Sequence, residues 1–262
     1  MADTPAFPPD LLDALRRARH VAVLTGAGGS AESGIPTFRE AQTGLWARFS
    51  PEELATPAAF ARDPRLVWEW YAWRRGLVRA AEPNPAHRAL AALEGLVPRL
   101  TLITQNVDGL HARAGSADPI ELHGSLARAR CRSCHAVYAE WEEAGEPPPR
   151  CSRCGDLLRP DVVWFGETLP RDLLGRAVEA ALGCDVFLSV GTSGLVEPAA
   201  SLPRLALERG APVAVVNPEV PGRPAPPLYA LRGRAGEVLP ALLRAAWGEA
   251  PGRGPGPPMR GQ

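Results

Sequence analysis

Four short apolar runs constrain the fold of this 262-residue chain more than any other feature. They are residues 20–25 (HVAVLT), 100–104 (LTLIT), 185–190 (DVFLSV) and 212–217 (PVAVVN). Each is rich in β-branched residues, lacks polar alternation and ends at a polar or glycine-rich turn, as a strand buried on both faces does. Segments of helical periodicity lie between them, such as 85–96 (PAHRALAALEGL) and 173–183 (LLGRAVEAALG). Strands alternating with helices predict a parallel α/β sheet of the doubly wound, Rossmann-like class. In such sheets ligands bind beyond the carboxyl ends of the strands. The chemically distinctive residues fall at those ends: Gly26-Ala27-Gly28, Gln105-Asn106-Val107-Asp108, Gly191-Thr192-Ser193 and Asn217-Pro218-Glu219.

Two stretches break the alternation. Residues 40–85 read as helical and tryptophan-rich, with Trp46, Trp68, Trp70 and Trp73. Residues 127–158 carry paired cysteines around a proline-rich loop. Both are expected to be insertions that form a smaller module. The main domain is then discontinuous: 11–39, 86–126 and 159–247. The ends, 1–10 and 248–262, read as flexible tails. The formal net charge is zero, which gives no electrostatic case for nucleic acid or an anionic membrane as partner. No export signal and no apolar run of membrane-spanning length is visible, so the expectation is a soluble cytoplasmic protein. All 29 basic residues are arginine, which leaves the chain no lysine of its own to modify.

Residues 25–40 (TGAGGSAESGIPTFRE) follow the first strand. Gly26 and Gly28 let backbone approach a pyrophosphate, whose oxygens nearby N–H groups can cradle. The spacing is not the usual dinucleotide fingerprint, so the glycines alone also fit a plain strand-to-helix turn. Residues 104–111 (TQNVDGLH) offer amides at Gln105 and Asn106 and a carboxylate at Asp108, suited to a ribose or a carboxamide; a polar cap on the next helix is the structural alternative. A lone histidine is more often structural than catalytic. His123, in Glu121-Leu122-His123-Gly124, nonetheless titrates in the range useful for proton transfer near neutral pH.

The cysteines are the most specific signal. Cys131-x2-Cys134-x16-Cys151-x2-Cys154 has zinc-ligand spacing. Four thiolates close a tetrahedral shell and leave no position for substrate water, so the zinc is structural. An iron–sulfur cluster or a redox pair are the alternatives. Cys184, before an apolar strand, reads as a small core residue.

These motifs, with Pro36-Thr37-Phe38-Arg39, residues 159–167 (RPDVVWFGE), 191–200 (GTSGLVEPAA) and 216–219 (VNPE), occur in one order between Leu11 and Leu243. In that order they resemble the sirtuin family of NAD-dependent protein-lysine deacylases. The resemblance implies NAD as a consumed co-substrate, held by Gly26, Ala27, Gly28, Glu32, Ile35, Pro36, Phe38, Arg39, Trp46, Gln105, Asn106, Asp108, Gly191, Thr192, Ser193, Asn217, Glu219 and Ala235. It implies His123 as general base, with Asn106 and Asp108 placing the ribose and nicotinamide. The acyl oxygen of the modified lysine attacks the ribose carbon as nicotinamide leaves. His123 then deprotonates a ribose hydroxyl, which attacks the resulting imidate and yields free lysine and O-acyl-ADP-ribose. Acylated peptide adds as a strand between Val163–Glu167, with Phe165 and Gly166, and the 191–200 segment. One position departs from the family pattern: Gly29 stands where an aliphatic residue is usual, which raises the ordering cost of the loop.

Residues 54–75 (LATPAAFARDPRLVWEWYAWRR) resemble the branch of the family that removes succinyl and malonyl groups. Its marks here are Ala55, Tyr71 and Arg74. Positions three apart share a helix face, so a phenol and a guanidinium there can grip a carboxylate. Ala55 leaves room for the longer acyl chain. The alternatives are a helix whose arginines face solvent, a protein mono-ADP-ribosyltransferase using the same cleavage, and a non-catalytic NAD or ADP-ribose binding module.

Overall fold

The computed structural model describes residues 7–36, 50–141, 146–220, 222 and 224–248. Among the described residues, nine strands fall into two sheets: β1 (His20–Thr25), β2 (Arg99–Thr104), β3 (Ile120–Glu121), β4 (Gly124–Cys131), β5 (Val137–Tyr138), β6 (Leu158–Val162), β7 (Val186–Val190), β8 (Val213–Asn217) and β9 (Leu228–Arg232). The large sheet has the order β3-β2-β1-β7-β8-β9 and is parallel throughout. With the small-sheet strands set aside, this is the doubly wound order, in which direction of winding reverses between β1 and β7. The four apolar runs supply its central strands. The edges β3 and β9 lie outside those runs: one is two residues long, and the other, LYALR, has no β-branched residue and is only alternately buried, so it lacks the continuous apolar signature.

The helices are α1 (Pro9–Arg17), α2 (Pro51–Leu54), α3 (Pro57–Arg62), α4 (Pro64–Ala80), α5 (Pro85–Leu93), α6 (Leu110–Arg113), α7 (Arg171–Gly183), α8 (Leu202–Glu208) and α9 (Ala235–Trp247). Every residue of β1 is buried, because helices cover both faces. Val21 and Val23 point into a core shared with α1, α5 and α9, while Ala22 and Leu24 point into one shared with α7 and α8. Helix α1 begins at Pro9, inside the stretch read as a tail. Among the described residues no helix is long and apolar enough to cross a membrane.

Strands β5-β4-β6 form a small antiparallel sheet. Helices α2–α4 pack on it through Phe60, Trp70 and Tyr71, which meet Leu126, Val162 and Trp164. Local caps start these helices: the Thr56 side chain accepts from Ala59 N and that of Asp63 from Leu66 N. Truncating a fully buried aromatic such as Trp70 or Phe60 to alanine costs about 3–5 kcal/mol. Also on α4, Trp68 packs with Cys131, Cys151 and Leu158. The Arg75 guanidinium stacks on Trp68 and Trp141, at 4.6 and 5.1 Å from the ring centres. Helix α4 therefore joins the helical insertion to the cysteine module, and the two form one lobe beside the large sheet.

Candidate functional site

The loops after β1 and β7 meet where the sheet reverses. Gly26 N donates to Val190 O and Gly28 N to Gly191 O, at 3.0 and 2.9 Å. A Cβ on Gly26 or Gly28 would lie 2.9 Å from the Gly191 carbonyl oxygen, and one on Gly191, at φ +60°, only 2.3 Å from Gly29 N. These glycines are required for backbone to pass backbone, a reason different from the expected approach to a pyrophosphate. Gly29 differs: a Cβ there meets nothing within 4 Å. Beyond β7 and β8 a cavity of about 330 Å³ opens, with Gln105, Thr192, Ser193, Asn217 and Glu219 in its wall. Asn217 Nδ2 donates to Thr192 O at 2.9 Å and fixes that rim.

Ser30 is the hub of a buried polar network at the floor of the loop. Its hydroxyl donates to Asp108 Oδ2 (2.7 Å) and accepts from Asn106 Nδ2 (3.0 Å). It also lies 3.3 Å from His87 Nε2. Asn106 Nδ2 donates to Gly26 O as well, and Asp108 Oδ1 accepts from Leu110 N. His111 Nε2 contacts Thr25 Oγ1 at 2.9 Å, and that hydroxyl donates to Thr104 Oγ1. Burial and then the neighbouring His87 push His111 down to about 3, and burial lowers His87, so both rings are neutral at neutral pH. His87 also completes a capping box with Asn84 at the start of α5.

His123 lies between the end of β3 and the start of β4, where the chain leaves the large sheet for the small one. Its Nδ1 is 3.0 Å from Gln105 O. A carbonyl can only accept, so Nδ1 carries the proton and Nε2 keeps its lone pair. Burial lowers the imidazole pKa, opposed by the Gln105 carbonyl. The ring is therefore neutral and basic near neutral pH. His123 O accepts from Val163 N at 2.9 Å, which binds the segment after β6 to the histidine. Phe165 N donates to Ala55 O at 3.0 Å, and Glu167 pairs with Arg159 and accepts from Trp164 N. Phe165, Leu195 and Val196 expose 51%, 70% and 41% of their surface, which places apolar side chains on both segments expected to flank a peptide.

On α4, Tyr71 is buried and its hydroxyl accepts from Trp164 Nε1 at 3.0 Å. Burial pushes the phenol up to about 12. Arg74 is half-buried, with its guanidinium 5.1 Å from the Trp70 ring centre. Burial lowers its pKa, and Tyr71 and the Asp108 carboxylate act against that shift. Arg74 thus stands within electrostatic reach of both the phenol and the polar floor. Ala55, Tyr71 and Trp164 belong to one buried cluster.

The Sγ atoms of Cys131, Cys134, Cys151 and Cys154 all lie within 4.8 Å of one another. The Cys131–Cys154 and Cys134–Cys151 separations are 3.4 and 3.6 Å. A tetrahedron with Zn–S bonds of about 2.3 Å has edges of about 3.8 Å, so the four thiols fit a structural zinc. Each pair sits on a tight turn, and the residue after it is left-handed: His135 at φ +57° and Gly155 at φ +77°.

Several expected cofactor residues have other engagements. The Glu32 carboxylate accepts from Gly236 N (2.7 Å) near the start of α9, next to the buried Ala235. Ile35 packs with Ala81 and Leu110. Ala27 is exposed and Pro36 half-buried. Phe38, Arg39 and Trp46 lie outside the described residues. Sequence reasoning passed over Ser30 and Trp164, although both stand inside quoted motifs; polar and aromatic residues there carry no spacing that marks them as hubs.

The Sir2 family pattern matches residues 26–198. An NAD-dependent protein deacylase of Methylococcus capsulatus is 56% identical over 247 residues, covering 91% of this chain and 97% of the relative. NAD-dependent protein deacylase 1 of Pseudomonas aeruginosa is 56% identical over 245 residues, covering 90% and 98%. The crystal structure of a Sir2 homolog–NAD complex superposes with TM-score 0.83 at 49% identity, covering 92% of this chain and 94% of that one. A Sir2 protein with a deacetylated peptide and 3'-O-acetyl ADP-ribose gives TM-score 0.75 at 34% identity, covering 90% and 97%.

Proposed function

This chain belongs to the Sir2 family and is an NAD-dependent protein deacylase, and on that premise we propose that it removes succinyl and malonyl groups, with some acetyl, from protein lysines through His123 as general base. The observation that carries the assignment of the base is the His123 Nδ1–Gln105 O bond, which leaves Nε2 unprotonated at the junction of the two sheets. Bound NAD supplies the ribose that receives the acyl group, with nicotinamide as leaving group. The donor set at the strand ends suits it: amides at Gln105, Asn106 and Asn217 and hydroxyls at Thr192 and Ser193.

His123 Nε2 takes the proton of a ribose hydroxyl. Asn106 and Asp108, braced through Ser30, orient the sugar and the nicotinamide. The buried floor excludes water and strengthens each polar contact. The acylated protein docks by backbone pairing between Val163–Glu167 and the 191–200 segment, where exposed Phe165, Leu195 and Val196 receive its side chains. The preference for acidic acyl groups is supported by Tyr71 and Arg74, one turn apart on α4, beside the small residue Ala55. A panel of succinyl-, malonyl- and acetyl-lysine peptides, assayed with NAD for nicotinamide release and product mass, tests this reading. Higher kcat/KM for the acidic acyl groups is expected. A preference for acetyl-lysine would overturn the acyl assignment, and release of nicotinamide without deacylation would overturn the transfer.

A further inference from the structure

Trp164 is held between Arg159 and Phe60. The Arg159 guanidinium carbon lies 3.4 Å from its ring centre, and Phe60 packs at 5.3 Å. Arg159 forms a fork with both oxygens of Glu167 (2.5 and 2.8 Å), and Glu167 Oε2 accepts from the Trp164 backbone N at 2.8 Å. The indole has little freedom to rotate, so its N–H points in one direction. That N–H ends at Tyr71 Oη, 3.0 Å away across a separation of 93 residues.

A phenol has one proton to donate and lone pairs to accept with. Among the described residues, the bond from Trp164 is the only hydrogen bond the Tyr71 hydroxyl makes, and it uses the accepting side. Burial keeps the phenol protonated at neutral pH. Its own O–H is therefore left to donate. A carboxylate is an acceptor only, whereas the methyl of an acetyl group accepts nothing.

We propose that Trp164 is a positioning residue for acyl selectivity: its indole N–H occupies the accepting side of Tyr71 and commits the phenol proton to the carboxylate of an acidic acyl group. The inference rests on the acidic-acyl reading above. It adds that selectivity is set partly from the peptide-binding segment, because Trp164 lies between Val163 and Phe165. Replacing Trp164 with phenylalanine keeps an aromatic ring but frees the phenol to turn, so its proton is no longer aimed.

The test compares kcat/KM for succinyl- and acetyl-lysine peptides in the wild-type chain, W164F, Y71F and the double variant. The ratio of two activities in one preparation cancels any loss of folded protein. W164F should lower the succinyl-to-acetyl ratio roughly threefold to tenfold, the effect of one neutral hydrogen bond. In the Y71F background, W164F should lower it no further, since Trp164 acts through Tyr71. A wild-type preference for succinyl that survives W164F overturns this inference alone. So does an equal further loss in the Y71F background, which would make Trp164 a wall and not a positioning group. A wild-type ratio below one removes the acidic-acyl reading and this inference with it.

Discussion

The Nδ1 of His123 sits 3.0 Å from the carbonyl oxygen of Gln105, and that bond decides which ring nitrogen is basic. Gln105 follows β2 and His123 follows β3, so adjacent parallel strands set the pair in register. Converting His123→Ala should lower acyl transfer by about 10²–10⁴-fold, the usual contribution of a general base. The acid limb of kcat against pH should have its midpoint below the ordinary histidine value of 6.5, because burial lowers this pKa. Activity is then flat near neutral pH and falls on acidification, as the imidazole takes up a proton. Near-wild-type turnover by folded H123A would remove the residue from the mechanism.

Arg74→Met keeps much of the side-chain stem and removes the charge. If Arg74 meets the acyl carboxylate, one charge-assisted bond worth roughly 1.5–3 kcal/mol is lost. The succinyl-to-acetyl ratio of kcat/KM should then fall about tenfold to hundredfold. Equal loss toward both substrates would assign Arg74 to the fold or to the cofactor.

The cysteine cluster should hold about one zinc per chain by elemental analysis, as one closed four-thiolate site requires. Sites of this kind contribute on the order of 10–16 kcal/mol in small peptides. Here Trp68 and the Arg75 stack also tie the module to α4. Chelation should therefore raise hydrogen exchange first across residues 127–158 and only later in the large sheet. Active protein that carries no metal would refute the assignment.

Gly29 has space where Gly26, Gly28 and Gly191 have none. Alanine there should stabilise the protein by about 0.4–1 kcal/mol in denaturant unfolding, by reducing the freedom of the unfolded loop. The same change at Gly191 should be strongly destabilising, because its Cβ would strike Gly29 N. A loss of stability in Gly29→Ala would show that this loop needs a second adjacent glycine.

The sequence by itself determined the features that repeat over short range. The buried parallel strands were legible because both faces are covered, so β1, β7 and β8 read as continuous apolar runs. The cysteine quartet was legible because zinc geometry demands paired ligands on tight turns. The glycine-rich loop after β1 and the motif of His123 carried the family resemblance, since their residues are contiguous. Only the tertiary structure decided what those residues touch. Ser30 meets Asp108 across 78 residues, Thr25 meets His111 across 86, and Trp164 meets Tyr71 across 93. No spacing along the chain encodes such contacts, which follow from strand register and from the packing of α4 on the small sheet. For the same reason Glu32, expected at the cofactor, is engaged at Gly236 of α9, a partner 204 residues away that comes within reach only when the sheet has closed its layers.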